Sequence, residues 1–158
     1  HGAPPRLFIF GAGHIAHALC PLSVELGFRV TVVDARRELA TEERFPGAAA
    51  LVHSFDAEQW EDLDIQGAQV YCVVASAEHG VDFAVVAALV ERPLAYLCMI
   101  GSDTKRRNLE RELKGRGVAE EKINAVRSPM GLPIEAETPM EIAVSIAAEL
   151  VLTRRQRD

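Results

Sequence analysis

A chain of 158 residues with 49% hydrophobic and 25% charged side chains has the size and make-up of one soluble globular domain. Its formal net charge of −6 excludes a protein that neutralises nucleic-acid phosphates over a basic surface. No apolar run nears the ~20 residues that span a bilayer, and the apolar stretch at residues 7–10 is too short for a signal peptide, so a cytoplasmic protein with no membrane partner is expected.

His1 and Gly2 read as a tag remnant or processed start, and residues 1–5 as lying outside the fold. Residues 7–10 form a short apolar run ending in glycine, as a buried parallel strand does. From residue 15 to 26 a helix is predicted, with Ile15, Leu19, Leu22 and Leu26 on its inner face. Pro21 should kink it and Gly27 should end it. Residues 29–34 are a second, β-branched strand. Residues 36–46 are polar and lead into a Phe45-Pro46-Gly47 turn.

A weaker third strand follows at 50–53 and a strong fourth at 69–75, then an apolar helix at 81–90. A fifth strand is predicted at 95–100 and a charged amphipathic helix at 103–116, closed by Gly117. Residues 128–134 hold two prolines and a glycine and must be irregular. The last helix starts with Thr138 as N-cap, Pro139 in the first helical position and Glu141 completing a capping box; Ile142, Ile146 and Leu150 form its buried stripe.

Strands alternate with helices throughout. The fold class this implies is α/β and Rossmann-like: one domain over residues 1–158, with a mostly parallel sheet of five to six strands and helices on both faces. Ligands of such sheets sit beyond the carboxyl ends of the strands, where strand order reverses. That point falls near residues 11–15 and 75–79. Cys20, Cys72 and Cys98 are odd in number and lack a Cys-x-x-Cys spacing, so they read as small buried core residues, with neither a disulfide framework nor a metal site.

Gly11-Ala12-Gly13-His14-Ile15-Ala16 matches G-x-G-x-x-[GA]. It follows a strand, opens a helix, and has an acid, Asp34, 34 − 13 = 21 residues after Gly13 at the end of the next strand. Gly11 permits a tight turn, Gly13 lets backbone approach a pyrophosphate, and the free N–H groups of the helix start attract anions. Asp34 is placed to accept from a ribose; Ala35 and Arg36 adjoin it. Arg36 and Arg37 read either as partners for a 2′-phosphate or as solvated loop charges. His14 reads as a donor to a phosphate or a pterin ring. His17 and His53 read as surface or core residues.

Ser76, Glu78, His79 and Asp82 follow the fourth strand on the ligand side. His79 and Asp82 are the candidates for a catalytic role: Asp82 either orients the imidazole or merely favours the helix start. Gly101, Ser102 and Lys105 follow the fifth strand. Lys105, Arg106 and Arg107 oppose the dipole of the helix they begin, so either an anionic ligand, an acidic partner, or Glu110 and Glu112 must offset them.

Several segments resemble the C-terminal Rossmann domain of the XdhC/CoxI family of xanthine dehydrogenase accessory proteins, which mature molybdenum hydroxylases. They are Gly11-Ala12-Gly13-His14-Ile15, residues 26–34, Glu43-Arg44-Phe45-Pro46, His79-Gly80-Val81-Asp82, Ile100-Gly101-Ser102 with Lys105, Pro129-Met130-Gly131-Leu132, and Glu137-Thr138-Pro139 with Glu141-Ile142-Ala143. The resemblance implies a chaperone rather than an enzyme. Its ligand would be molybdopterin, as the molybdenum cofactor, or a dinucleotide such as NAD(P). Its partners would be an apo molybdenum hydroxylase of the xanthine or carbon monoxide dehydrogenase type and a cysteine desulfurase, and a homodimer is compatible with it.

The chain departs from the family pattern in three places. It lacks the usual N-terminal segment with a functional cysteine, which makes it a fragment or a single-domain relative. It has Ser76-Ala77 where Thr-His is common, and Pro133 and Glu135 where Asp and Gly are common. Two other functions share the glycine turn and its acid: an NAD(P)-dependent oxidoreductase, for which only His79 or His14 offers a proton donor, and a nucleotide-sensing regulatory domain.

Overall fold

A computed structural model describes residues 2–157; His1, set aside above, lies outside them. The expected alternation is present. Strands β1 (Arg6–Phe10), β2 (Arg29–Val33), β3 (Ala50–Val52), β4 (Gly67–Val74) and β5 (Leu94–Met99) make one sheet of five strands in the order β3-β2-β1-β4-β5. Every pairing is parallel. The order reverses between β1 and β4, so the switch-point crevice lies beyond their carboxyl ends. Pro5, expected outside the fold, is buried, and its carbonyl accepts the Arg29 N–H at 2.9 Å.

Helices α1 (His14–Glu25), α2 (His79–Leu89), α3 (Asp103–Gly115), α4 (Glu120–Ala125) and α5 (Pro139–Arg157) cover both faces. Side chains alternate across each strand, so the sheet feeds two cores. Leu7, Ile9, Val30, Val32, Tyr71 and Val73 meet α1 and α5 through Ala16, Leu19, Ala143, Ile146 and Leu150. Phe8, Phe10, Cys72, Val74 and Met99 meet Val85, Val86 and Leu89 of α2 and Leu109 and Leu113 of α3.

The inner face of α1 differs from the one expected. Ala16, Leu19, Cys20 and Ser23 are buried, whereas Ile15 and Leu22 are half-buried and Leu26 is exposed. Small residues face inward because α5 packs directly on α1. Two elements had no sequence signal. A 3₁₀ helix (Ala57–Leu63) is capped by Asp56, which accepts from Glu58 N, and it buries Trp60 against Phe10 with ring centroids 5.0 Å apart. Helix α4 returns the chain to the free edge of β5, where Arg127 forms a parallel bridge with Cys98. Backbone bonds join Met99 N to Arg127 O and Arg127 N to Leu97 O, each at 2.9 Å, so the edge is covered by a single bridge rather than a sixth strand.

All three cysteines are buried and free. Burial pushes the Cys20 thiol up to about 11 and that of Cys98 up to about 12, and it raises Cys72 as well. Such thiols are poor nucleophiles. Among the described residues no helix is long and apolar enough to cross a membrane.

Candidate functional site: the crevice between β1 and β4

The turn from β1 into α1 is held on three sides. Gly11 has φ +121°, and its N–H donates to Val33 O at 2.8 Å. A Cβ on Gly11 would stand 2.2 Å from the Ala75 carbonyl oxygen, so the end of β4 leaves room only for hydrogen. Ala12 is buried, and its N–H donates to Asp34 Oδ2 at 2.8 Å. Its carbonyl accepts from Nη1 of Arg44, which also donates to Leu39 O at 2.6 Å. Arg44 was named above only as part of a motif, and this grip on the turn gives it a physical role.

Gly13 is the N-cap of α1. It has φ −84°, and a Cβ placed there meets nothing within 4 Å. No side chain caps the helix, so its first-turn N–H groups have no acceptor from a capping residue. The start of α2, at Glu78, is uncapped in the same way. The α3 and α5 starts differ. Ser102 Oγ accepts from Lys105 N at 3.2 Å, and Thr138 Oγ1 and Glu141 Oε1 form the expected capping box. Uncapped α1 and α2 follow β1 and β4 and flank the switch point; the six-residue α4 also starts without a side-chain cap. His14 is exposed at the mouth, and Ile15 packs half-buried against the core.

Asp34, expected to receive a ribose, already holds protein groups on both oxygens. Oδ1 accepts from Arg36 N at 2.8 Å and Arg36 Nε at 2.9 Å, and Oδ2 accepts from Arg36 Nη2 at 2.8 Å besides Ala12 N. Burial pushes the Asp34 carboxyl up, but the Arg36 side chain and the backbone N–H groups of Arg36 and Ala12 outweigh it, and the net shift is downward. Arg36 Nη2 also donates to Ser76 O at 3.1 Å, so this side chain bridges the crevice from β2 to the end of β4. Ala35 is exposed beside it. Arg37 lies 3.4 Å from His53 Nδ1, and the other ring nitrogen of His53 meets Ala40 O at 2.9 Å.

On the β4 side, Asp82 turns inward and leaves His79 outside. Its Oδ1 accepts from Ser76 N at 2.9 Å and Ser76 Oγ at 2.6 Å, and its Oδ2 accepts from Lys105 Nζ at 2.7 Å. Asp82 is 0% and Lys105 5% exposed. His79 is exposed and stacks on Phe83 with centroids 6.4 Å apart, so the orienting pair considered above is not formed. The cations at the start of α3 likewise find protein partners. Lys105 pairs with Asp82, and Arg106 pairs with Glu110 at 2.8 Å while tying α3 to α4 through the Ile123 and Val126 carbonyls. Arg107 donates to Thr104 Oγ1 at 3.1 Å.

Beyond Gly101 a cavity of about 320 Å³ adjoins the end of β5, lined mainly by Ile100, Met130, Leu132, Ile134 and Ile142. The loop above it is anchored where Gly131 N donates to Glu149 Oε1 at 3.2 Å; that oxygen also accepts the Tyr96 hydroxyl. No three His, Cys, Asp or Glu residues gather to hold a metal among the described residues. The crevice thus combines open backbone at Gly13, an uncapped helix start and nearby guanidinium groups with carboxylates locked in ion pairs. Open backbone N–H groups and guanidinium groups are chemically complementary to an anion.

The chain matches the XdhC Rossmann domain over residues 7–150. It is 39% identical over 153 residues to the uncharacterized protein YqeB of Escherichia coli K12, covering 96% of this chain and 28% of that protein. It is 33% identical over 152 residues to a probable subunit of xanthine dehydrogenase from Bacillus subtilis, covering 96% of this chain and 44% of the relative. The crystal structure of a xanthine dehydrogenase from Bacillus halodurans superposes with a TM-score of 0.84 at 29% identity, over 98% of this chain and 44% of the other. The chain therefore spans less than half the length of each of these relatives.

Proposed function

The chain belongs to the XdhC Rossmann domain family, and from that premise we propose that it is the cofactor-holding domain of an accessory factor for a molybdenum hydroxylase of the xanthine dehydrogenase type. Its cargo is the molybdenum cofactor or a related dinucleotide, held by phosphate at the turn of residues 11–14. The observation that carries this reading is the open face of Gly13 at the uncapped start of α1, where nothing stands within 4 Å of an added Cβ. Backbone N–H groups and the helix dipole there complement a phosphate. The names of two similar proteins support the client: one is a probable subunit of xanthine dehydrogenase, the other a xanthine dehydrogenase.

The fit of the cargo rests on charge. Arg36 and Arg44 stand at the turn although the whole chain carries −6. When bound, the cofactor supplies the molybdenum centre to the client enzyme; the domain's own residues hold the phosphate and orient the rest. Sulfur for the cofactor comes from a cysteine desulfurase rather than from this domain, since its three thiols are buried. An oxidoreductase needs a proton donor beside its substrate. Of the two histidines that could serve, His79 lacks the Asp82 contact that would orient it, and His14 stands at the turn proposed to hold the phosphate.

The test is a calorimetric titration of the molybdenum cofactor into the wild-type chain and into Gly13→Val, with circular dichroism of both. The expected result is saturable binding to the wild type and none to the equally folded variant. Binding of the same strength to both would contradict the site, and no binding to the wild type would contradict the function.

A further inference from the structure

In a sheet of this kind, the acid at the end of β2 ordinarily meets the hydroxyl groups of a nucleoside ribose. Asp34 occupies that place, but its side chain is 0% exposed. It accepts four N–H groups, from Ala12 N, Arg36 N, Arg36 Nε and Arg36 Nη2, all within 2.8 to 2.9 Å. A carboxylate offers about four lone-pair directions, so a ribose finds no free acceptor there. It would have to displace Arg36 from a two-pronged, charge-assisted contact, the strongest type of side-chain hydrogen bonding.

Arg36 is fixed from the other side as well, because Nη2 reaches the Ser76 carbonyl at 3.1 Å. Ser76 is in turn held by Asp82, and Asp82 by Lys105. One chain of polar contacts therefore runs from Ala12 through Asp34, Arg36, Ser76 and Asp82 to Lys105, across the ends of β1, β2, β4 and β5. It holds the guanidinium across the crevice with Nε and Nη2 turned to protein. The side chain is still 32% exposed, and Nη1 is the edge those contacts leave for a ligand. Arg44 adds a second guanidinium at the Ala12 carbonyl.

We propose that Arg36 makes this a site for a phosphate monoester and excludes a ligand that presents a free ribose diol at the end of β2. The proposal rests on the reading that ligands bind at the turn of residues 11–14. A monoester carries close to two negative charges at neutral pH and offers three acceptor oxygens, which suits a planar guanidinium beside a helix start. Two ligand types carry that group: a dinucleotide phosphorylated on its ribose, and a pterin whose side chain ends in phosphate.

The experiment is isothermal titration of the 158-residue chain with two matched pairs of probes. One pair is ADP-ribose with and without a ribose 2′-phosphate. The other is a pterin with and without a terminal phosphate on its side chain. The monoester member of at least one pair is expected to bind at least about tenfold more tightly than its partner, and the pair that shows the preference identifies the source of the phosphate. In Arg36→Ala, which frees two acceptor directions on Asp34, the preference should vanish, and plain ADP-ribose should gain affinity. Equal or tighter binding of the diol ligand to the wild type, with no phosphate preference in the pterin pair, overturns the proposal and leaves the site standing. So does an unchanged preference in Arg36→Ala. If none of the four probes binds, the site at residues 11–14 falls, and this inference falls with it.

Discussion

Gly11 and Gly13 stand two residues apart in one turn, yet a methyl group added to each meets different surroundings. At Gly11 it would lie 2.2 Å from the Ala75 carbonyl oxygen with φ at +121°. Gly11→Ala therefore forces backbone apart and is expected to cost on the order of 3 kcal/mol in urea unfolding. At Gly13 the space is open and φ is −84°. Gly13→Val is expected to change stability by no more than about 1 kcal/mol, the range of N-cap substitutions, while removing ligand binding. Both glycines and Asp34 were legible in the sequence because a turn motif fixes local backbone. The long-range contacts that hold the turn were not. Arg36 meets Ser76 across 40 positions, and Arg44 meets Ala12 across 32, and spacing alone does not encode such contacts.

Asp34 also sets a pH dependence. Its carboxyl is held below the ordinary range, so the stability it contributes is present above the unfolded value of about 3.9 and is lost as pH falls toward and through the lowered folded value. Asp34→Asn should be less stable than the wild type at pH 7. It should also lose less stability between about pH 5 and pH 3, as measured by denaturant unfolding at each pH. Glu110 and Glu141 are lowered too, by Arg106 and by backbone N–H groups at the α5 start, and they leave a residual slope in the variant.

At the scale of elements, strands and long helices followed from hydrophobic period, and the five strands and four longer helices lie close to their expected bounds. The α1 face did not follow, because its alanines and Cys20 carry weak apolar signals that close packing against α5 makes decisive. The 3₁₀ helix and α4 span only seven and six residues, too short for a period to show. The ion pair between Lys105 of α3 and Asp82 of α2 was equally hidden. It ties both helices to the end of β4 through Ser76. Lys105→Met leaves a buried carboxylate without its cation, and a loss of about 3 kcal/mol is expected in chemical denaturation. Thr138→Ala, which removes one half of the α5 capping box, should cost about 1 kcal/mol by the same measurement.

At the scale of the whole molecule, a chain of net charge −6 gathers Arg36, Arg44 and an uncapped helix start around one turn. Those groups make phosphate the chemical group that the crevice would suit. The same crevice holds the carboxylates of Asp34 and Asp82 in ion pairs with Arg36 and Lys105. The location of the site is tested most directly by an amide-resolved NMR titration of the wild-type chain with a phosphate-bearing ligand that binds it. The largest shifts are expected at the N–H groups of Gly13, His14, Ile15 and Arg36. Saturable shifts centred instead on the cavity between residues 2–5 and 154–157, at the opposite ends of β1 and β4, would contradict that location.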